Sequence, residues 1–220
     1  MKDRPHIIIK QRRSTLERTP PLSSEEYRCV NLRSRWQSTY VTACHFTNEA
    51  AHAIGDWAAQ SVREDGASPE VGGLLLGYVA TSDDCVVYVD RFQPFREVDF
   101  ANNSLLVVSD AIRQAYEAGT SDRPGLIVGW FHTHPGHGPY LSTTDVNRTH
   151  LPFFRHPYQI ALVLDPHTPR WDTGIFSTLA DQTGLNTGRD TAQFYSSKEV
   201  ATGAAVSAVF SWKDLLAFFS

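Results

Sequence analysis

Three cysteines in 220 residues, Cys29, Cys44 and Cys85, leave an odd count at wide spacing with no CxxC pair. That excludes a disulfide framework and a cysteine-built zinc site, and it fits a reducing, cytoplasmic setting. No excess of positive charge is present either: 20 Lys and Arg face 24 Asp and Glu, for a net charge of −4. Without a basic field, nucleic acid is not the expected partner. Long apolar runs are missing as well. The N-terminal MKDRPHIIIKQRR has three isoleucines between basic residues, too few for a secretory signal or a membrane span, so no membrane partner is expected. No internal repeat is visible.

What is present is 41% hydrophobic residues, enough for one sizeable core. Residues 1–40 hold nine basic and four acidic groups, a surplus of +5 that leaves −9 for the rest. Together with Pro20-Pro21 and Ser23-Ser24, this reads as a basic N-terminal extension, either a solvated arm or a partner-docking strip. A catalytic domain is expected over 41–185 and a C-terminal extension over 186–220.

Within that domain, Thr47 or Asn48 can cap a helix in which Ala51, Ile54, Trp57, Ala58 and Val62 recur at helical spacing. Two strands follow, Val71–Val79 and Val86–Phe92, joined by a turn at Ser82-Asp83-Asp84; the first is nearly all apolar and therefore central. A short helix is expected over Asp110–Ala118 and a buried strand over Leu126–Phe131. Beyond these come a helix over Thr143–Leu151 stopped by Pro152, strands at Ile160–Leu164 and Trp171–Leu179, and a closing helix over Val209–Phe219. The order predicts an α+β fold, an α/β sandwich of one sheet with flanking helices.

The chemistry concentrates in Gly129-Trp130-Phe131-His132-Thr133-His134-Pro135 and the segment up to Asp145. Side chains alternate along a strand, so His132 and His134 share one side and Thr133 points to the other, as a packing or hydrogen-bonding residue. A Gly/Pro-rich loop returns to a helix whose first turn carries Asp145. Two imidazoles and one carboxylate with a fourth position left for water are the ligand set of a catalytic rather than a structural zinc. Glu70, at the head of the central strand, is the best candidate for the general base. Cys85 at a strand start reads as a buried thiol, and Trp130 as a core residue placed to orient the site.

These residues resemble the JAMM (JAB/MPN-type) metalloprotease family, whose signature is an upstream glutamate, His-(Ser/Thr)-His, seven residues, Ser, two residues and Asp. Glu70, His132-Thr133-His134, Ser142 and Asp145 fit it throughout, and the likeness spans residues 45–180. The resemblance implies one mixed, curved sheet flanked by helices, with His132, His134 and Asp145 holding one Zn2+ per chain. It implies that Glu70 activates the attacking water and serves the leaving amine, and that Ser142 hydrogen-bonds near the developing oxyanion.

The resemblance further implies an isopeptidase or peptidase acting after the glycine-ended tail of ubiquitin or a ubiquitin-like modifier. Its family context is bacterial operons with E1-like and E2-like partners. Residues 93–108 are the expected substrate-guiding loop, with Phe95 and Phe100 as apolar contacts or as loop anchors, and His137 as a loop residue near substrate. Two alternatives are a catalytically silent scaffold and a RadC-like, nucleic-acid-associated protein. Thr133 and Gly136-His137 depart from the RadC form.

Overall fold

The apolar run that starts at Val71 becomes the central strand of the sheet, and the rest of the chain is arranged about it. The structure, a computed structural model, describes residues 27–31, 40–62, 69–81, 85–95, 107–114, 126–178 and 208–217. Among them are strands β1 (Tyr27–Asn31), β2 (Val41–Thr47), β3 (Gly72–Thr81), β4 (Cys85–Pro94), β5 (Leu126–Thr133), β6 (Ile160–Asp165), β7 (Asp172–Phe176) and β8 (Ala208–Ser211). They form one mixed sheet in the order β1-β2-β4-β3-β5-β6-β7-β8. The β2/β4 and β5/β6 pairs are parallel and the other pairs antiparallel. β1 comes from the segment read as an extension, so that part of it belongs to the sheet. The hairpin turn expected at 82–84 lies outside the described residues.

β3 is bulged in its middle, where its register shifts between Leu75 and Leu76 against β5 and between Leu76 and Gly77 against β4. A Cβ on Gly77 would lie 1.8 Å from the Tyr88 carbonyl oxygen, so only glycine lets β4 approach this closely.

Helix α1 (Asn48–Ala59) starts where the Thr47 side chain accepts the Ala50 N–H at 3.1 Å, with Glu49 in its first turn. It buries Ala50, Ala51, Ile54, Gly55 and Ala58, small residues for the most part, against one face of the sheet. There it meets Cys44, Phe46, Leu75, Val87, Val89 and Phe131. On the opposite face, the helical segment 107–114, here α2, contributes Val107, Val108 and Ala111 to a second core with Leu74, Leu76, Trp130, Val163 and Phe176. Helices thus cover both faces of the sheet, as the α/β sandwich requires. The sheet also curls. Tyr40 N–H donates to the Thr178 carbonyl at 2.8 Å and Val41 N–H to Ser177 Oγ at 3.3 Å, joining the start of β2 to the end of β7. Strands that lie far apart in the sheet order can meet this way only if the sheet bends toward closure.

Two expectations need correction. Pro152 does not end the helix that follows the Gly/Pro loop: a π-helix covers Asp145–His150 and an α turn, Leu151–Phe153, runs through the proline. Leu151 N–H donates to the Val146 carbonyl, the wide i to i−5 turn, and Pro152 then sits at the start of a turn where its missing N–H costs little. The closing helix expected over 209–219 starts later, as α3 (Trp212–Ala217), because the chain first adds β8 to the sheet; residues 218 and 219 lie outside the described residues. No helix among the described residues is long and apolar enough to cross a membrane.

Trp212 closes the first core. Its ring meets Phe46 edge-on at 5.4 Å, and a Cβ on Gly55 would come within 3.3 Å of the indole nitrogen, so helix and ring fit without space for a larger side chain. Trp212→Ala is expected to cost about 3–5 kcal/mol in the urea-unfolding free energy. Lys213→Ala, which removes an exposed ammonium from the Pro169 carbonyl and the Trp171 ring, should change it by no more than about 1 kcal/mol.

Candidate metal centre

β5 ends at the site. It pairs antiparallel with β3, Gly72 opposite His132, and parallel with β6, His132 beside Val163. The pairing continues one step past the strand, where His134 N–H donates to the Leu164 carbonyl at 2.9 Å. With the backbone fixed on both sides, alternation turns both imidazoles to one face, where they are buried. Their Nε2 atoms lie 3.1 Å apart, and Asp145 Oδ2 lies 3.5 Å from the first and 3.4 Å from the second. Three donors at these separations match the corners of a tetrahedron about an ion bound at about 2.0–2.1 Å, whose edge is about 3.3–3.4 Å. The group His132, His134 and Asp145 could therefore hold a metal ion.

Asp145 is placed by a reciprocal cap. Ser142 Oγ accepts the Asp145 N–H at 3.1 Å, and Asp145 Oδ2 accepts the Ser142 N–H at 2.7 Å. This is the geometry of a capping box, with Asp in place of Glu at the third helical position, so the Ser-x-x-Asp spacing is a helix start as well as a ligand signal. Burial raises the Asp145 carboxyl, but the His132 charge and hydrogen bonds from His132, His134 and Ser142 outweigh it and hold the group below the usual carboxylate range.

The loop between the ligands depends on Asp165, at the end of β6. Its buried carboxylate accepts N–H groups from Gly136 at 2.9 Å, Gly138 at 2.8 Å and His167 at 2.9 Å. Gly136 and Gly138 sit at φ of 76° and 81°, the left-handed region that glycine enters most cheaply. Tyr140 leans on His134 with ring centroids 4.6 Å apart. His137 is exposed on this loop, its N–H bonded to the His134 carbonyl.

Beneath the first ligand, Trp130 stacks on His132 at 4.6 Å and 8° and on Phe154 at 5.9 Å and 12°. Its indole N–H donates to His150 Nδ1 at 3.0 Å. That bond needs a neutral His150, and complete burial holds its pKa down to about 3. Glu70 is half-buried beside the site. Thr133 N–H donates to the Val71 carbonyl at 2.9 Å, so the register brings Glu70 level with His134. Phe95 is only 2% exposed and packs over Gly72 in the second core. Of the two roles expected for it, this packing is the one that an anchor of the loop start would have. Phe100 lies outside the described residues.

Sequence reasoning missed Asp165 and the Trp130–His150 pair. An acidic residue ending the otherwise apolar Ile160–Asp165 strand was the one available signal for Asp165. Nothing local marks His150, because its partner is 20 residues away.

Two measurements follow from this geometry. Asp165→Asn removes one acceptor oxygen from a carboxylate that serves three N–H groups, and is expected to cost about 1–3 kcal/mol of unfolding free energy and to speed amide exchange at Gly136 and Gly138. His150 has a folded pKa of about 3, below its unfolded value of about 6.5. Its stabilising contribution is therefore complete above pH 6.5 and is lost as pH falls toward 3. Between those limits the wild-type unfolding free energy should fall more steeply than that of His150→Gln, by up to about 1.4 kcal/mol per pH unit.

The family described as JAB1/Mov34/MPN/PAD-1 ubiquitin protease matches residues 41–151, just over half of the chain. Among similar proteins, COP9 signalosome complex subunit 5 of Kluyveromyces lactis is 32% identical over 62% of this chain and 37% of its own length. The 26S proteasome regulatory subunit rpn11 of Schizosaccharomyces pombe is 32% identical over 46% of this chain and 32% of its own. The uncharacterized protein F37A4.5 of Caenorhabditis elegans is 48% identical over 44% of this chain and 30% of its own. The chain thus spans about a third of the length of these relatives. On the match across residues 41–151 and the His132, His134 and Asp145 group inside it, the chain belongs to the JAB1/Mov34/MPN/PAD-1 family, the one its JAMM motif resembles.

Proposed function

We propose that the chain is a zinc-dependent isopeptidase or peptidase that hydrolyses the bond after the glycine-ended tail of ubiquitin or a ubiquitin-like modifier. The observation that carries this reading is the convergence of His132, His134 and Asp145 donors within 4.8 Å of one another, with Glu70 level with His134 in the register. Two nitrogens and one carboxylate oxygen favour zinc over oxygen-seeking divalent ions. Zinc bound there would supply Lewis acidity, making a water reactive near neutral pH and polarising the scissile carbonyl.

The rest falls to the protein. Glu70 removes the proton from the attacking water and carries it to the leaving amine. Ser142 Oγ accepts the Asp145 N–H, which leaves its hydroxyl hydrogen to donate toward the carbonyl oxygen as negative charge builds there. Asp145 stays ionised because its cap and the neighbouring imidazoles favour the charged form. Gly136 and Gly138 leave open space where a side chain would stand on this loop, which suits an extended tail ending in glycine.

The substrate class rests on the family and on relatives named for the COP9 signalosome and the 26S proteasome. Deconjugation and precursor processing share this chemistry. E1-like and E2-like proteins, which attach such modifiers, are the partners that either role implies, and a cytoplasmic location suits both.

The test is metal content beside cleavage of a ubiquitin fusion with a glycine-ended tail. Wild type is expected to hold about one zinc per chain and to cleave. Glu70→Gln should keep the metal and lose on the order of 10²–10⁴-fold in kcat, the range for a general base. His134→Ala should lose the metal itself. Zinc retention without cleavage by wild type would reject the substrate, and absence of zinc would reject the enzyme.

A further inference from the structure

The geometry points to Thr133 as the residue that positions Glu70, an inference that rests on the base role proposed above. Thr133 stands between the two histidines, faces away from them and is fully buried. In a regular antiparallel ladder, two residues opposite each other as a hydrogen-bonded pair exchange two backbone bonds. At Val71 and Thr133 only one of these is a backbone bond, from Thr133 N–H to the Val71 carbonyl at 2.9 Å. The return bond from Val71 N–H goes to Thr133 Oγ1 at 3.0 Å. The threonine hydroxyl replaces the ladder carbonyl at the point where β5 passes into the ligand loop and His134 turns its own N–H to Leu164.

This hydroxyl closes the last rung before Glu70. The next residue along, Gly72, is held from the other side, its carbonyl accepting both the Trp57 indole N–H at 3.0 Å and the Phe95 N–H at 2.8 Å. Residues 71 and 72 are therefore fixed by β5, α1 and the residue after β4, and Glu70 is the first residue beyond these bonds. Thr133 belongs to the same short segment as His132 and His134, so a displacement of the ligands carries the rung with them. The separation between the metal donors and the Glu70 backbone is thus set by one residue rather than by two independent loops. A hydroxyl is the required chemistry: valine has nearly the same shape but would leave the half-buried Val71 N–H without its acceptor. Thr133 touches no reacting atom and is a positioning residue.

Amide exchange at Val71 tests this together with steady-state kinetics on the ubiquitin fusion and Co2+ titration. In wild type, the Val71 amide should exchange as slowly as its β3 neighbours; exchange at the rate of an exposed loop would overturn the proposal without any variant. Thr133→Val should speed that exchange roughly tenfold. It should also lower kcat on the order of 10- to 100-fold, as a misplaced catalytic group does, with KM within about twofold. Co2+ affinity should stay within about threefold, since no ligand is touched. Thr133→Ser, which keeps the oxygen, should restore exchange protection and kcat together. Wild-type protection at Val71 in Thr133→Val, or a loss of kcat that Thr133→Ser does not recover, would overturn the role. If wild type cleaves no tail, the functional reading fails on its own, and the Val71 exchange comparison still decides whether Thr133 holds this segment.

Discussion

The pairing of β5 between β3 and β6 is the constraint on which the site depends. A strand bonded on both sides cannot slip by one residue without turning every side chain to the opposite face, so the direction of His132 and His134 is set by backbone before any side-chain contact forms. The nearly all-apolar β3 and β6 hold β5 between two filled cores, and a slip by one residue would push Phe131 out of the first core toward the second and turn His132 and Thr133 to the wrong faces. The stability of the core and the direction of the donors are in this sense one property.

Around that fixed strand, each further element is held by a polar group at its end. The Ser142–Asp145 cap starts the helix and aims its carboxylate; the Asp165 carboxylate gathers the N–H groups of the glycine loop; the His150 imidazole takes the indole proton of the ring on which His132 stacks. Each is buried or half-buried, where an unmatched polar group is costly, so each contact is specific as well as stabilising. The second core, with Phe95 and Phe154 in it, keeps water from the back of the ligand set.

Local signals in the sequence carried the parts of the site that are local in the chain. His-Thr-His needs only strand alternation to become a chelating pair, and Ser-x-x-Asp needs only a helix start. The central position of β3 was likewise legible from its unbroken apolar run. What could not be read depends on distant partners: the parallel pairing of β2 with β4, the junction of Tyr40 with Thr178, and the bond between Trp130 and His150. Phe95 shows the same limit. Its aromatic character announced a contact, but its packing over Gly72 depends on how β4 lies on β3. Pro152 misled for a different reason, since a widened turn ahead of it removes the conflict that ordinarily stops a helix.

Burial of two thiols bears on which donors the folded protein offers to a metal ion. Cys44 and Cys85 both lie in the first core, and burial pushes the Cys85 thiol up to about 12. Near neutral pH it is almost never a thiolate, the form that competes for soft and borderline ions. The unfolded chain is different, with cysteines exposed at their ordinary pKa of about 8.5 alongside nine histidines. Closure of the core therefore withdraws these two thiols and leaves the imidazole and carboxylate group as the donor set assembled among the described residues.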